Sequence, residues 1–499
     1  MYRKGFNNKK YVELQSKHIL ERIEKFENKL YLEFGGKLFH DLHASRVLPG
    51  YDPNNKIHLL KALSDKMEII MVINASDIES NRMQGDNGIT YGDDLLRLSD
   101  ALSRSGLLVS SVVITKYAKQ SAAILFKRRL EQQGITVYLH FPIEGYPANI
   151  PHVLSDCGFG QNDYIETKRP LVVVAAPGAS SGKMATCFSQ MYHEFMRGVR
   201  AGYAKFETFP IWNLPINHPV NLAYEAATTN VADVNMIDPF HLEAYGKSAV
   251  NYNRDVEGFP VLNAIFKKIW GESPYKSPTD MGVNMIFEAI LDDEICQEAS
   301  RQEIIRRYYA ALCHDRTYGG IEREISTLEL LMNKTGVSIN CRKVVNSTLE
   351  KEKDSGNPSM AIQLPNGDII TGRTTELLGA ASAALLNALK HLAGIDDEIK
   401  LLSPEMIEPI KRLKLQFFRN TNPHMHTDEI LIALSICTAT NPIAEQVIQA
   451  LPKLKHSEAH SSVILSLVDM GVFRNLGINL TCEPKYKFNK QKMEVYHAN

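Results

Sequence analysis

The chain lacks an excess of charge of either sign: 56 basic residues face 57 acidic ones, for a formal net charge of -1. A broad electrostatic surface for DNA or RNA, which neutralises phosphates with a dense set of cations, is therefore not expected. Long hydrophobic runs are also missing. The apolar stretches EIIMVI, LLVSSVVI and LVVVAA fall far short of the roughly 20 residues a membrane helix needs. Cysteine is sparse and scattered: seven residues, Cys157, Cys187, Cys296, Cys313, Cys341, Cys437 and Cys482, with no Cys-x-x-Cys spacing and an odd count. Such a pattern argues against a disulfide framework and fits free thiols in a reducing compartment. The opening residues MYRKGFNNKK are basic without the apolar segment of an export signal. The expectation is a cytoplasmic protein with neither membrane nor nucleic acid as partner.

What is present suits several packed cores. A chain of 499 residues with 44% hydrophobic content exceeds one ordinary domain. In its first half, strand-like runs at 67–75, 107–115, 135–141 and 171–176 alternate with helical periodicity at 93–105 and 121–133. Apolar strands separated by helices predict a mainly parallel three-layer α/β domain, P-loop-like or Rossmann-like, over 1–230. From 231 to 324 prolines break the chain into turns and a helix is expected at 280–309, giving a mainly helical domain or insertion. A C-terminal α/β domain is expected over 325–499. It carries a polar loop at 350–357, a hairpin turning at Asn366–Gly367, and a helix at 375–392 whose Ala380, Ala381, Ala383 and Ala384 suit close packing, including in a homo-oligomer.

The strongest chemical signal is PLVVVAAPGASSGKMATCFSQ at 170–190. An apolar strand runs into a Gly/Ser turn, then a lysine, then a helix, the order by which α/β proteins hold phosphates. Gly178 and Gly182 free the backbone, Ser180 and Ser181 offer hydroxyls, and Lys183 offers a cation. The spacing is G-x-x-x-G-K-M, one residue shorter than the nucleotide-triphosphate loop. Met184 stands where a magnesium-ligating hydroxyl would be; Thr186 is the nearest substitute. ATP or another nucleotide with magnesium is thus a candidate cofactor, alongside a simpler phosphorylated ligand. Cys187, among apolar neighbours, reads as a packing residue.

After the first apolar strand, Asp77, Arg82 and Asp86 offer acids and a cation for magnesium, acceptor or developing charge; the competing reading is a polar loop with helix caps. His43 and Arg46 lie in the turn-rich HASRVLPGYDP, and Asp238, His241, Asn253 and Arg254 in IDPFHLEAYGKSAVNYNRD. Both are candidate substrate walls, with loop anchoring and a solvated face as the alternatives. In NPHMHTDE, His424, His426 and Glu429 have metal-ligating atoms, but no fixed motif is matched, and a loop with Asp428 capping the next helix weighs more.

The segments HASRVLPGYDP, NRMQGDNGITYGDD, APGASSGKMATC, NHPVNLAYEAAT and NPHMHTDE resemble a bacterial family, domain of unknown function 1846, across essentially the whole chain. The resemblance implies a P-loop-type α/β first part, a helical segment, and a C-terminal α/β domain similar in topology to the cytidine-deaminase fold. It brings no activity; the zinc signature of deaminases is missing from the C-terminal part. Phosphoryl transfer to a small molecule is the leading expectation, with Lys183, Arg82, Asp77 and Asp86 as its groups. The alternatives are an enzyme using a phosphorylated metabolite without ATP, and an oligomeric nucleotide sensor or scaffold.

Overall fold

A computed structural model of the chain describes residues 3–26, 29–39, 41–83, 89–229 and 234–486. Two compact units emerge, Lys4–Ser300 and Arg301–Asn499, so 231–324 is not a body of its own. Among the described residues no helix is long and apolar enough to cross a membrane.

The first unit contains β1 (Leu30–Phe34), β2 (Met67–Asn74), β3 (Val109–Thr115), β4 (Thr136–Leu139), β5 (Leu171–Ala175), β6 (Gly202–Phe206), β7 (Asn235–Ile237), β8 (Val250–Tyr252) and β9 (Gly282–Val283). Seven of these form one sheet in the order β4-β3-β2-β5-β1-β6-β9, with every neighbouring pair parallel. β7 and β8 form a small antiparallel pair. The four expected strands are β2 to β5. Strands β2 and β5 are buried along their whole length, as apolar strands covered by helices must be. Strands β1 (LYLEF) and β6 (GYAKF) are equally buried, but each carries a charged residue that interrupts its apolar pattern. The expected helix at 280–309 is displaced: β9 occupies its start, and the helix proper is Asp293–Tyr318.

The winding of the sheet decides where a ligand belongs. From β2 the chain moves outward to β3 and β4, returns to the centre as β5, then moves outward the other way through β6 to β9. The direction reverses between β2 and β5, and the crevice outside strand C-termini at such a point is where open α/β sheets bind ligands. The loop after β2 and the turn after β5 both open there.

The second unit holds β10 (Ser359–Gln363), β11 (Ile369–Arg373), β12 (Glu458–Ser461) and β13 (Asn479–Cys482), in the order β11-β10-β12-β13. The first two pairings are antiparallel and the last is parallel. The expected hairpin forms, with a different turn. Gly367 N–H bonds to Leu364 O and Leu364 N–H to Asp368 O, both at 2.8 Å, and Gly367 is left-handed at φ +99°. Pro365 and Asn366 therefore make the bend, and Gly367 follows in the bulge position. The helix expected from 375 begins at Ala380. Its alanines are spent inside the unit: a Cβ on Gly372 of β11 would lie 2.2 Å from Ala384 N. The expected loop at 350–357 is mostly the end of the helix Lys343–Ser355, closed by left-handed Gly356.

Candidate functional site

The turn after β5 is built from backbone conformations that an ordinary strand–helix link does not need. Ser180 at φ +59° and Gly182 at φ +95° are both left-handed, a cost seldom kept without cause for a non-glycine residue. A Cβ on Gly182 would also lie 3.0 Å from the Thr115 side chain, whose Oγ1 donates to Ser181 O at 2.5 Å. Gly178 is glycine for a separate reason: a Cβ there would come within 2.6 Å of the Tyr91 ring. The helix Lys183–Met196 follows with Gly182 as N-cap and no side chain capping it, so its first N–H groups keep their partial positive charge. Two buried hydroxyls in this region, Ser181 Oγ and Thr186 Oγ1, have no hydrogen-bond partner among the described residues. Met184 packs its thioether against the helix Asn253–Trp270, where a Cβ on Gly258 would meet its sulfur at 2.8 Å. The position after the lysine is thus a packing residue. Cys187 is buried as expected, and burial pushes its thiol up.

Two predicted groups meet this turn. Arg82 donates from Nη1 to Asp77 Oδ1 at 3.2 Å and sits 5.2 Å from the centroid of the Tyr91 ring, so the pair reaches the turn through the tyrosine lying on Gly178. Arg254 donates from Nη1 to Ser180 Oγ at 3.0 Å. Its neighbour Asn253 accepts from Val234 N at 3.3 Å. Asp86 lies outside the described residues.

Sequence reading missed the charged groups of β1 and β6. Glu33 is opposite both Val174 of β5 and Lys205 of β6. With a side-chain period of two, Glu33, Lys205 and Glu207 share one face of the sheet. Lys205 Nζ lies 2.6 Å from Glu207 Oε1 and 2.5 Å from Asp255 Oδ1, all three buried. Glu33 Oε2 accepts from Tyr203 at 2.7 Å. Burial pulls the Lys183 ammonium below its ordinary range; Glu33 works against this, while Lys205 and Arg254 add to it. Burial likewise disfavours charge on Lys205, but Asp255 and Glu207 lift it above the ordinary lysine value. Lys183, half-buried, has no hydrogen bond or ion pair of its own among the described residues, which leaves its ammonium available to an anion.

The remaining candidates go elsewhere. His43 packs edge-on against Phe209 and Tyr224, at 5.3 and 5.8 Å between centroids. It lies near Asp41, which pairs with buried Lys56 at 3.0 Å. Phe209 follows Glu207 by two residues, so His43 borders the β6 side of the same strand-end edge; Arg46 is half-buried on its short helix Leu42–Val47. Asp238 caps the helix Pro239–Tyr245 through His241 N at 3.0 Å and accepts from Thr279 Oγ1 at 2.7 Å. His241 Nδ1 is 2.9 Å from Ser277 Oγ. These two anchor the 277–280 turn. In the second unit Glu429 accepts from His426 N at 2.7 Å and from Lys414 at 2.8 Å. His426 spends its ring nitrogens on Asp469, at 2.9 Å, and Asn422, at 3.1 Å. The loop-and-cap reading therefore fits, with Glu429 rather than Asp428 closing the cap. Among the described residues no group of three or more His, Cys, Asp or Glu side chains is arranged to hold a metal ion.

Fold and site together define a two-unit α/β protein whose larger unit places a lysine-bearing strand-to-helix turn at the switch point of a parallel sheet. The chain belongs to the DUF1846/UPF0371 family. Residues 4–336 match the model described as domain of unknown function DUF1846, N-terminal, and residues 340–492 its C-terminal counterpart. It is 53% identical over 490 residues to the UPF0371 protein str1377 of Streptococcus thermophilus, covering 98% of this chain and 99% of that protein. A UPF0371 protein of Streptococcus pneumoniae serotype 19F is 52% identical with the same coverage.

Proposed function

We propose that the turn at 176–183 binds the phosphoryl group of a small metabolite and that the protein is an enzyme acting on that metabolite. What supports this is the pairing of an uncapped helix N-terminus with Lys183, a half-buried cation with no hydrogen bond or ion pair of its own among the described residues. The unpartnered hydroxyls of Ser181 and Thr186 would supply donors, and Arg254 a second cation. In this reading the first unit is P-loop-like in its order of strand, turn, lysine and helix. The likeness of the second unit to the cytidine-deaminase topology rests on the family resemblance alone.

Phosphoryl transfer from a nucleotide with magnesium is the rival reading, favoured by Asp77 and Arg82 beside the turn. The packing of Met184 against Gly258 weighs toward a phosphorylated substrate used without ATP. Thermal-shift titrations with inorganic phosphate, sugar phosphates, and ADP or ATP with magnesium separate the two in wild type and Lys183→Ala. Saturation at 100 times Kd adds about 2.7 kcal/mol of stability. Sugar phosphates are expected to stabilise wild type and to lose that effect in Lys183→Ala, with magnesium nucleotides no better than inorganic phosphate. Equal shifts in both proteins, or none in either, would sink the reading.

A further inference from the structure

Glu207 directly follows β6 as the turn follows β5, and between them Gly35 directly follows β1. Adjacent strands are about 4.8 Å apart, so the β5 and β6 ends are separated by roughly 10 Å. That span matches a phosphorylated chain of about five or six carbons laid across the sheet edge. The path is bare where it needs to be: a Cβ on Gly35 would lie 3.0 Å from Phe206 O and 3.5 Å from Glu207 Cγ. Midway, Glu33 bonds to Tyr203 through Oε2, and its Oε1 has no hydrogen-bond partner among the described residues. Lys205 is shared between Glu207 and Asp255, so one ammonium faces two carboxylates, with the carboxylate of Glu33 on the same face.

Resting on the reading of the turn given above, we infer that Glu207 is the proton-transfer group of this site and that its ligand is a phosphorylated carbonyl compound with hydroxyl groups, of the aldose or ketose phosphate class. The phosphoryl group sits at Lys183 and Arg254, a hydroxyl at Glu33 Oε1, and the carbonyl end at Glu207. As carboxylate, Glu207 takes the proton from the carbon beside the carbonyl. The C–H electron pair becomes the C=C bond of an enediolate, and the carbonyl π pair moves onto oxygen, beside the positive charge of Lys205. The proton of the adjacent hydroxyl passes to the former carbonyl oxygen, the electron pair left on its own oxygen forms the new C=O, and the C=C pair takes a proton from Glu207 at the neighbouring carbon. Glu207 exchanges its proton with solvent in the interval, and one C–H and one O–H are broken and remade, so the isomerisation consumes no co-reactant. Burial pushes Glu207 up to about 8; Lys205 opposes this, and Asp255 and Glu33 add to it. Such a value suits proton transfer in both directions near neutral pH. Asp255 is a positioning residue that holds Lys205.

The test is solvent exchange. Glucose 6-phosphate, fructose 6-phosphate and ribose 5-phosphate are incubated in D2O with wild type, Glu207→Gln and Glu207→Asp, and deuterium at the carbon beside the carbonyl is followed by NMR. Wild type is expected to exchange at least one of the three, with a rate that rises toward pH 8. Glu207→Gln is expected to lose about 100-fold or more, and Glu207→Asp to recover part of it. Stabilisation by inorganic phosphate should persist in both variants, which also shows that they fold. An exchange rate unchanged in Glu207→Gln, or no exchange of any of the three, overturns the inference while leaving the phosphate reading standing. Failure of inorganic phosphate to stabilise wild type overturns the phosphate reading, and the inference with it.

Discussion

Gly178 and Gly182 look alike in sequence, as two loop glycines beside a lysine, but their reasons differ. Gly182 answers to its own φ of +95°. Gly178 answers to a ring: Tyr91 Cζ, Cε2 and Oη would all lie within 2.8 Å of a Cβ at that position. The motif itself was legible, because strand, turn and helix follow one another along the chain. The tyrosine was not, since a contact between distant residues leaves no trace in one sequence. Gly178→Ala should therefore destabilise by overpacking, about 1–3 kcal/mol, and the cost should fall in a Tyr91→Ala background. A double-mutant cycle of melting temperatures checks this; strict additivity would show that the ring is not what makes alanine costly. Glu33, Lys205 and Glu207 were invisible for a related reason. A single charged residue inside a short segment reads as exposure, when here the charges balance one another in the interior.

Whole elements were legible where one physical signal dominated. Strands β2 to β5 are mainly apolar and legible in the sequence; β1 and β6 are not, because one face of each carries Tyr31 with Glu33 and Tyr203 with Lys205. The candidate site lies along the ends of both kinds, so its glycine-and-lysine turn is legible in the sequence and its carboxylates are not. In the second unit the start of the helix Thr427–Cys437 shows what an element asks of a distant residue. Asp469 Oδ1 accepts from Thr427 N and Oγ1, both at 2.9 Å, while Oδ2 faces His426 at 2.9 Å and accepts from Ser466 at 2.8 Å. Burial by itself would raise this carboxyl, but the bonds from His426, Thr427 and Ser466 carry it below its ordinary value. A folded-state pKa below the unfolded value of about 3.9 gives stabilisation that is complete above that value and is lost as pH falls through the folded one. Asp469→Asn should cost about 1–3 kcal/mol near pH 6, and the gap in melting temperature from wild type should close below about pH 4. A gap that does not vary with pH would refute the electrostatic origin.

For the molecule as a whole, the presence of more than one core was legible, but the boundary was not. Composition placed it at 325, and the family models divide between 336 and 340, yet the compact units divide at Ser300–Arg301, inside the helix Asp293–Tyr318. No glycine or proline marks that point, because the helix runs through it. The physical reason is a buried charge cluster. Arg342, fully buried, pairs with Glu458 and donates from Nη2 to Ala459 O at 3.0 Å and Asn479 O at 2.8 Å. Arg306 gives Glu458 its second cation, at 3.1 Å to both carboxylate oxygens. Burial would raise Glu458, but Arg306 and Arg342 hold it below the usual carboxylate range. Beside them Tyr309 donates to Glu483 at 3.2 Å and packs its ring 4.9 Å from that of His460. A fragment cut at the family boundary, 340–499, removes Arg306 and Tyr309 and leaves Glu458 with one cation, Arg342, and the Asn479 amide at 2.8 Å. The cut weakens this partly exposed ion-pair network and takes away the helices Asp293–Tyr318 and Glu322–Thr335, against a margin of only roughly 5–15 kcal/mol that holds a domain folded. The fragment 301–499 is therefore expected to melt cooperatively, and 340–499 to melt at a much lower temperature or without cooperativity, as followed by circular dichroism. Equal stability of the two would mean that the helix Asp293–Tyr318 contributes little to the second unit, and that Arg342 and Asn479 together satisfy Glu458.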